Sequence, residues 1–292
     1  MIRLKTIVDA VTSGFDVLSG PRDMTIVVIE LALASGWANS EDEAAEIADA
    51  LAARALLALQ TLHAKSRVGG RHIRFDFNSS SDYLIQGACF AEPGDSDDIK
   101  EAKRRRSLHA AYQDFLANID HREFEAVCRG ILSVIGCKTA TLTSHGNDQG
   151  IDFYGRLHLE GRLENQSTLP GVDRNLRMWI VGQAKHYKKV QSATPELREL
   201  VGSVELARTK TFASVNPSLA DLDIAACDPV LFLFLTTGSI SSDGWRLIDS
   251  SGMVAMDGPM VADFLADNDI GTIDDLFDES TARVWLAAHL AA

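Results

Sequence analysis

Apolar and polar positions change period several times along the chain, and those changes divide it into helices and strands. Residues 3–18 repeat apolar positions at helical spacing until Ser19-Gly20-Pro21 interrupts them. Met24 to Ala34 is almost wholly apolar and predicts a buried helix ending at Gly36. Ser40 with Glu43 forms a capping-box signature that opens a long Ala/Leu helix to about Lys65. Val68-Gly69-Gly70-Arg71 then reads as a hairpin turn, followed by a strand with Ile73, Phe75 and Phe77 on one face. Three helices followed by a two-stranded wing is winged-helix order; a generic helical interaction domain is the alternative.

Glu92 to Asp98 is acidic and turn-rich, which makes it the best linker. A charged helix is expected from Ile99 to Asn118. Asp120 can cap the next helix, with Glu123 at its third position and Gly136 at its end. Beyond it the pattern predicts strands over Lys138–Thr143, Ile151–His158 and Met178–Lys185, a helix over Pro195–Phe212 and a strand over Val230–Thr236. Thr194 before Pro195 is a favourable helix start, a capping hydroxyl ahead of a proline in the first turn. A short strand at Trp245–Ile248 and helices near Gly258–Leu265 and Thr281–Leu290 complete the chain. The expected division is residues 1–98 as an N-terminal, mainly helical domain, 99–119 as a linking helix and 120–292 as an α/β domain with the order αβββαβ.

Composition narrows the function classes. With 46% hydrophobic residues among 292, the chain can bury substantial cores. It holds no charge-free apolar run of ~18 residues, hence no expected membrane span. Met1 to Thr6 lacks the apolar core of a signal peptide, so cytoplasm is the expected compartment. Cys89, Cys128, Cys137 and Cys227 show no paired spacing and read as buried reduced thiols. A net charge of −13 argues against a protein coated in positive potential, and leaves nucleic-acid binding to local patches. Two such patches stand out, Lys103 to Arg106 and Lys185 to Lys189. The sequence contains no G-x-S-x-G, no G-x-x-x-x-G-K-[ST], no H-E-x-x-H and no dinucleotide glycine fingerprint.

The candidate chemistry lies between Asp148 and Lys189. Met178 to Val181 is a strong strand former, and residues two apart on a strand share a face. Gln183 and Lys185 therefore point the same way. If the strand carrying Asp152 is the antiparallel neighbour, a carboxylate, an amide oxygen and an ammonium converge at one end of the sheet. That set can hold a hard divalent cation and place a lysine beside an attacking water. Glu125 and Asp148 are the further acids within reach by this reading, although Glu125 could equally serve the dipole of its helix and Asp148 the turn. His145 and His186 pair with nothing at a diagnostic spacing and read as surface residues.

These residues carry a resemblance. Phe124-Glu125 on a helix, Ile135-Gly136-Cys137 leading into a strand, Asp148-x-Gly150-Ile151-Asp152, Gln183-Ala184-Lys185, the helix Glu196 to Gly202 and the strand ending in Thr236-Thr237-Gly238 are similar to the Mrr-like branch of the PD-(D/E)xK restriction endonucleases. In that branch the last motif is often Gln-x-Lys. The resemblance covers roughly the C-terminal 60 per cent of the chain and does not reach the first hundred residues. A connection between Asp152 and Gln183 longer than is usual in the family is its main departure.

The resemblance implies a restriction-endonuclease-like core and a Mg2+- or Mn2+-dependent endonuclease that hydrolyses DNA in restriction or anti-phage defence. Asp152, Gln183, Lys185 and Glu125 would be its catalytic residues. The metal would be held by Asp152, Gln183 and the backbone carbonyl of Ala184, while Lys185 would orient or deprotonate the water. Lys188, Lys189, Arg104, Arg105 and Arg106 are the expected DNA contacts, and assembly of several copies stays open. Two alternatives remain: a nuclease fold that only binds nucleic acid or a partner, its metal affinity lost through Gln183, and a repair or junction nuclease.

Overall fold

A computed structural model describes residues 2–143, 150–157, 159, 178–187, 194–211 and 219–290. Asp148, His145, Lys188, Lys189 and the long connection before Met178 lie outside the described residues. The chain divides into two compact units, Met1–His109 and Ala110–Ala292.

The first unit runs α1 (Leu4–Gly14), β1 (Arg22–Asp23), α2 (Met24–Ala34), α3 (Glu41–Val68), β2 (Phe75–Asn78), β3 (Ser81–Gly87) and α4 (Asp97–Ser107). Its strands pair antiparallel in the order β1-β3-β2. Ile7, Val11, Val28, Ala55, Leu59 and Ile85 form the centre of its core. Ser40 caps α3 by accepting from the Glu43 amide at 3.2 Å, but Glu43 reaches back to the Asn39 amide at 2.7 Å instead of closing a reciprocal box.

The expected hairpin turn at Gly69-Gly70 is a helix terminus. α3 runs on to Val68, and Gly70 takes φ +61°, a conformation glycine adopts without a Cβ clash. The hairpin instead turns at Ser79-Ser80, where Asn78 Oδ1 accepts from the Ser80 amide at 3.0 Å and the Glu92 carboxylate accepts from the Ser79 amide at 3.2 Å. Asx-type bonds of this kind turn a chain without any glycine.

The charged helix expected over residues 99–118 is two helices, α4 and α5 (His109–Asn118). At Leu108 the amide bonds to the Arg105 carbonyl, three residues back, and the α-helical ladder stops. On α4, Glu101 takes Arg104 at 2.6 Å and Arg105 at 3.0 Å. The Arg104 hydrogen bond is the main reason that the Glu101 carboxyl is held down to about 2. Lys103 bonds to Asp95 at 2.7 Å. The basic run is therefore largely matched by acids within its own unit.

After α5, the second unit runs α6 (His121–Ile135), β4 (Cys137–Leu142), β5 (Phe153–Leu157), β6 (Met178–Lys185), α7 (Thr194–Arg208), β7 (Val230–Thr236), α8 (Ser242–Ser251), β8 (Val254–Met256), α9 (Gly258–Asp267), β9 (Thr272–Ile273), β10 (Leu276–Phe277) and α10 (Glu279–Leu290). The αβββαβ order is present. Five strands pair in chain order, β4-β5-β6 antiparallel and β6-β7-β8 parallel. Asp120 and Glu123 close a complete capping box on α6, and Gly136 ends it at φ +115°.

Three departures have physical reasons. α7 stops at Arg208 because Lys210 is left-handed (φ 56°) and the Thr211 amide returns to the Leu206 carbonyl. That is a Schellman ending without the glycine that would have announced it. Trp245–Ile248 lies within α8, not a strand: Ser241 accepts from the Gly244 amide, and buried Gly244 and Ile248 are four apart. Of the four cysteines, Cys227 is exposed, whereas the other three are buried.

Candidate active site

β6 is central in the sheet, and its alternation decides which groups meet. Trp179 and Val181 pack with Leu197, Leu200 and Val204 of α7, so the odd positions of β6 face α7. Gln183 and Lys185 continue that row. The even positions turn the other way, toward α6, which lies against β4, β5 and β6. There Gly182 has no room for a side chain: a Cβ would meet the Phe153 ring at 2.2 Å and the Leu233 carbonyl at 2.6 Å. The close approach lets Phe153, fully buried, fill the space between β5 and α6.

Asp152 stands one residue before β5 and is fixed on both sides. Its amide donates to the Gly182 carbonyl at 3.0 Å, and its carbonyl accepts from the Thr143 amide at 3.0 Å. Since Phe153 pairs with Gly182, the next step of the register brings Asp152 opposite Gln183. The carboxylate Oδ2 accepts from the Ala184 amide at 2.7 Å. Asp152 is 3% exposed and Gln183 1%, so water screens neither well.

Gln183 binds α7 and the lysine together. With its amide oriented to suit both neighbours, Nε2 donates to the Glu196 carbonyl at 3.0 Å and Oε1 accepts from Lys185 Nζ at 3.2 Å. The Lys185 carbonyl accepts from the Thr237 amide on the β7 side. Carbonyls alternate along a strand, so the Ala184 carbonyl faces β5, where Asp152 stands.

Thr237, just past β7, holds the residues that follow the lysine. Its hydroxyl accepts from the Tyr187 amide at 3.0 Å and meets His186 Nδ1 at 2.8 Å. His186 is thus partly buried and tied down, not the surface histidine expected from sequence. The Tyr187 hydroxyl donates to Glu196 Oε1 at 3.1 Å. Burial, that bond and the charges of Glu196, Asp152 and Glu199 push the Tyr187 phenol up to about 12. Beside these residues lies a cavity of about 560 Å3, lined among others by His186, Tyr187, Thr237, Asp114 and Pro259.

Glu125 is placed differently. It is buried on α6, with Oε1 at 3.0 Å from His121 Nδ1 and Oε2 held by Arg122, which also donates to the Thr143 carbonyl at 3.1 Å. It approaches the sheet from the α6 side, opposite the face of Gln183 and Lys185. The Cys128 thiol is pushed well up by burial and by the charges of Asp152 and Glu125, so both acids are felt there.

The site thus joins Asp152, Gln183, Lys185 and the Ala184 backbone. It also contains Glu196, Tyr187 and Thr237, to which the sequence reading gave no site role, although Glu196 and Thr237 lie in the matched motifs and Tyr187 in the basic run. Glu196 Oε2 is buried and has no hydrogen-bond partner among the described residues. An oxygen-only donor set that includes an orphaned carboxylate oxygen suits a hard divalent cation such as Mg2+ or Mn2+.

Residues 116–217 match the Mrr catalytic-domain family, described as restriction endonuclease. The match spans α6 through α7 and includes every motif residue named for the resemblance from Phe124 to Gly202. Two solved structures are similar: "MspJI Restriction Endonuclease in Complex with 27-mer Oligonucleotide" at 20% identity and TM-score 0.34, and "DNA modification-dependent restriction endonuclease AspBHI" at 14% and 0.37. The matches cover 71% and 73% of this chain, which spans 40% and 47% of those chains. No curated protein matches the chain. Among the described residues, no helix is long and apolar enough to cross a membrane.

Proposed function

From a restriction-endonuclease domain at residues 116–217, we propose a divalent-metal-dependent endonuclease that hydrolyses DNA phosphodiester bonds, a type IV-like restriction enzyme of the cytoplasm serving anti-phage defence. The observation that carries the reading is the convergence of Asp152, Gln183 and Lys185 at one end of β6. When bound, a divalent cation would polarise the scissile phosphate and lower the pKa of a coordinated water. Asp152, the Ala184 carbonyl and Gln183 would hold it. Lys185, steered by Gln183 Oε1, would orient the attacking water and stabilise charge on the phosphate. Thr237 would keep the lysine's strand in register with β7.

DNA has to approach a chain of net charge −13. Lys188 and Lys189, immediately beyond the site, are the proposed phosphate contacts, together with Arg104, Arg105 and Arg106 on α4. The first unit, with its helix, strand, helix, helix, strand, strand order, is proposed as a winged-helix-like recognition or regulatory module.

The test is cleavage of unmodified and cytosine-methylated plasmid with Mg2+, Mn2+ or EDTA. Cleavage that requires the metal and is lost in Asp152→Asn supports the reading. A folded chain that binds DNA without cutting it under any of these conditions favours the second reading, an inert binder. That alternative draws on one observation, the neutral amide at Gln183 where many relatives of this fold carry an acid.

A further inference from the structure

Among the described residues, one buried carboxylate oxygen at the site has no hydrogen-bond partner, that of Glu196. Asp152 Oδ2 is taken by the Ala184 amide, and both oxygens of Glu125 are occupied by His121 and Arg122 on the far side of the sheet. Glu196 lies in the first turn of α7, the helix that covers the Gln183 and Lys185 face. Its Oε1 accepts from Tyr187, while Oε2 is buried and meets no donor among the described residues. Burying a carboxylate oxygen without a partner is destabilising. A fold retains such a group most readily where a cation fills the gap.

Gln183 explains the placement. Its Nε2 donates to the Glu196 backbone carbonyl, so the amide anchors the first turn of α7 against β6 and brings the Glu196 side chain to this face. A carboxylate at position 183 would set two acceptors against each other there. The neutral amide contributes no charge of its own, but it brings the Glu196 carboxylate to this face.

We propose that the Glu196 carboxylate is the second anionic ligand of the divalent cation at this site, in place of the charge that Gln183 lacks. The inference rests on the metal-dependent reading above, and it makes Gln183 a positioning residue for Glu196 as well as an oxygen donor. Tyr187 holds Oε1 and thereby directs Oε2 inward.

Calorimetric titration of the full chain with Mn2+ alone, without DNA, tests it. Wild type, Asp152→Asn, Glu196→Gln and Glu199→Gln are compared, with melting curves in EDTA as the check on folding. Glu196→Gln should weaken Mn2+ binding at least tenfold and abolish most of the Mn2+-induced rise in Tm, as Asp152→Asn does. Its Tm in EDTA should be unchanged or raised, because an orphaned charge has gone. Glu199→Gln should change affinity less than threefold. If Glu196→Gln does not fold, Glu196→Asp carries the test, since withdrawing the oxygen by one methylene should also weaken binding. Wild-type affinity in a folded Glu196 variant, alongside loss in Asp152→Asn, overturns this inference alone. Binding insensitive to Asp152→Asn, or no Mn2+ binding by wild type, overturns the metal-dependent reading with it.

Discussion

The Ala184 amide donates to Asp152 Oδ2 at 2.7 Å, so the strand that carries Lys185 also fixes the carboxylate opposite it. Position and charge at residue 152 can therefore be separated by mutation. Asp152→Asn keeps an oxygen for the Ala184 amide and should fold with nearly wild-type Tm while losing cleavage. Asp152→Ala removes that acceptor as well and should cost a further ~1–3 kcal/mol, the penalty for an unsatisfied buried donor. Denaturant melts of the two variants check this; equal stability would mean that the bond contributes nothing.

Lys185→Ala should lower cleavage by about 10²–10³, the usual loss when a positioned transition-state charge is removed. DNA binding should persist, because one phosphate contact is a small part of the total. Single-turnover rates with filter binding measure both. A well-folded variant that cuts at near wild-type rate would remove Lys185 from the chemistry.

Gly182→Ala probes packing rather than chemistry. The new methyl would lie 2.2 Å from the Phe153 ring and 2.6 Å from the Leu233 carbonyl, and one of those contacts is backbone. Overpacking of this kind costs roughly 1–3 kcal/mol. The expected result is a lower denaturant midpoint together with weakened activity, since the Gly182 carbonyl anchors the Asp152 amide. An unchanged midpoint would show that Phe153 can move aside freely.

Thiol reactivity follows from burial and charge. Alkylation needs the thiolate. The Cys128 thiol is pushed well above its ordinary value by burial and the neighbouring acids, so it stays protonated and unreactive at pH 8.5. Cys227 is exposed, and Cys89 and Cys137 are buried. Iodoacetamide should modify Cys227 first in the native chain and all four cysteines after denaturation, as read by peptide mass. Early modification of Cys128 would contradict its placement beneath the sheet.

Salt dependence of DNA binding distinguishes the two basic clusters. Each phosphate contact contributes about −0.9 to the slope of log K against log salt. Lys188→Ala with Lys189→Ala should reduce the slope by nearly two contacts' worth. Neutralising Arg104, Arg105 and Arg106 should reduce it by less than three, because Glu101 already engages two of them. Fluorescence anisotropy from low to physiological salt gives the slopes. No change in either variant would remove both clusters from the DNA interface.

Local chemistry made much of this fold legible along the chain. The Asp120 and Glu123 capping box, the β-forming run from Trp179 to Val181 and the apolar strand Val230–Thr236 each announce themselves within a few residues, because hydrogen bonds and periodicity act at short range. Period-two alternation alone put Gln183 and Lys185 on one face, while the antiparallel pairing that brings Asp152 to them was only a condition in the sequence and was supplied by the fold. Where the signal was too short or did not use the usual residue, the reading failed: Trp245–Ile248 spans about one helical turn, and α7 ends on a left-handed Lys210 instead of a glycine. The rest depended on contacts between residues distant in sequence. Glu125 and Glu196 are both helix-borne acids near the motif, and Glu125 carries two basic neighbours, His121 and Arg122, one turn back on its own helix. Helical spacing alone lets His121 and Arg122 engage Glu125, whereas only the packing of α7 against β6 brings Glu196 to the face of Gln183 and Lys185, where its buried Oε2 has no partner among the described residues.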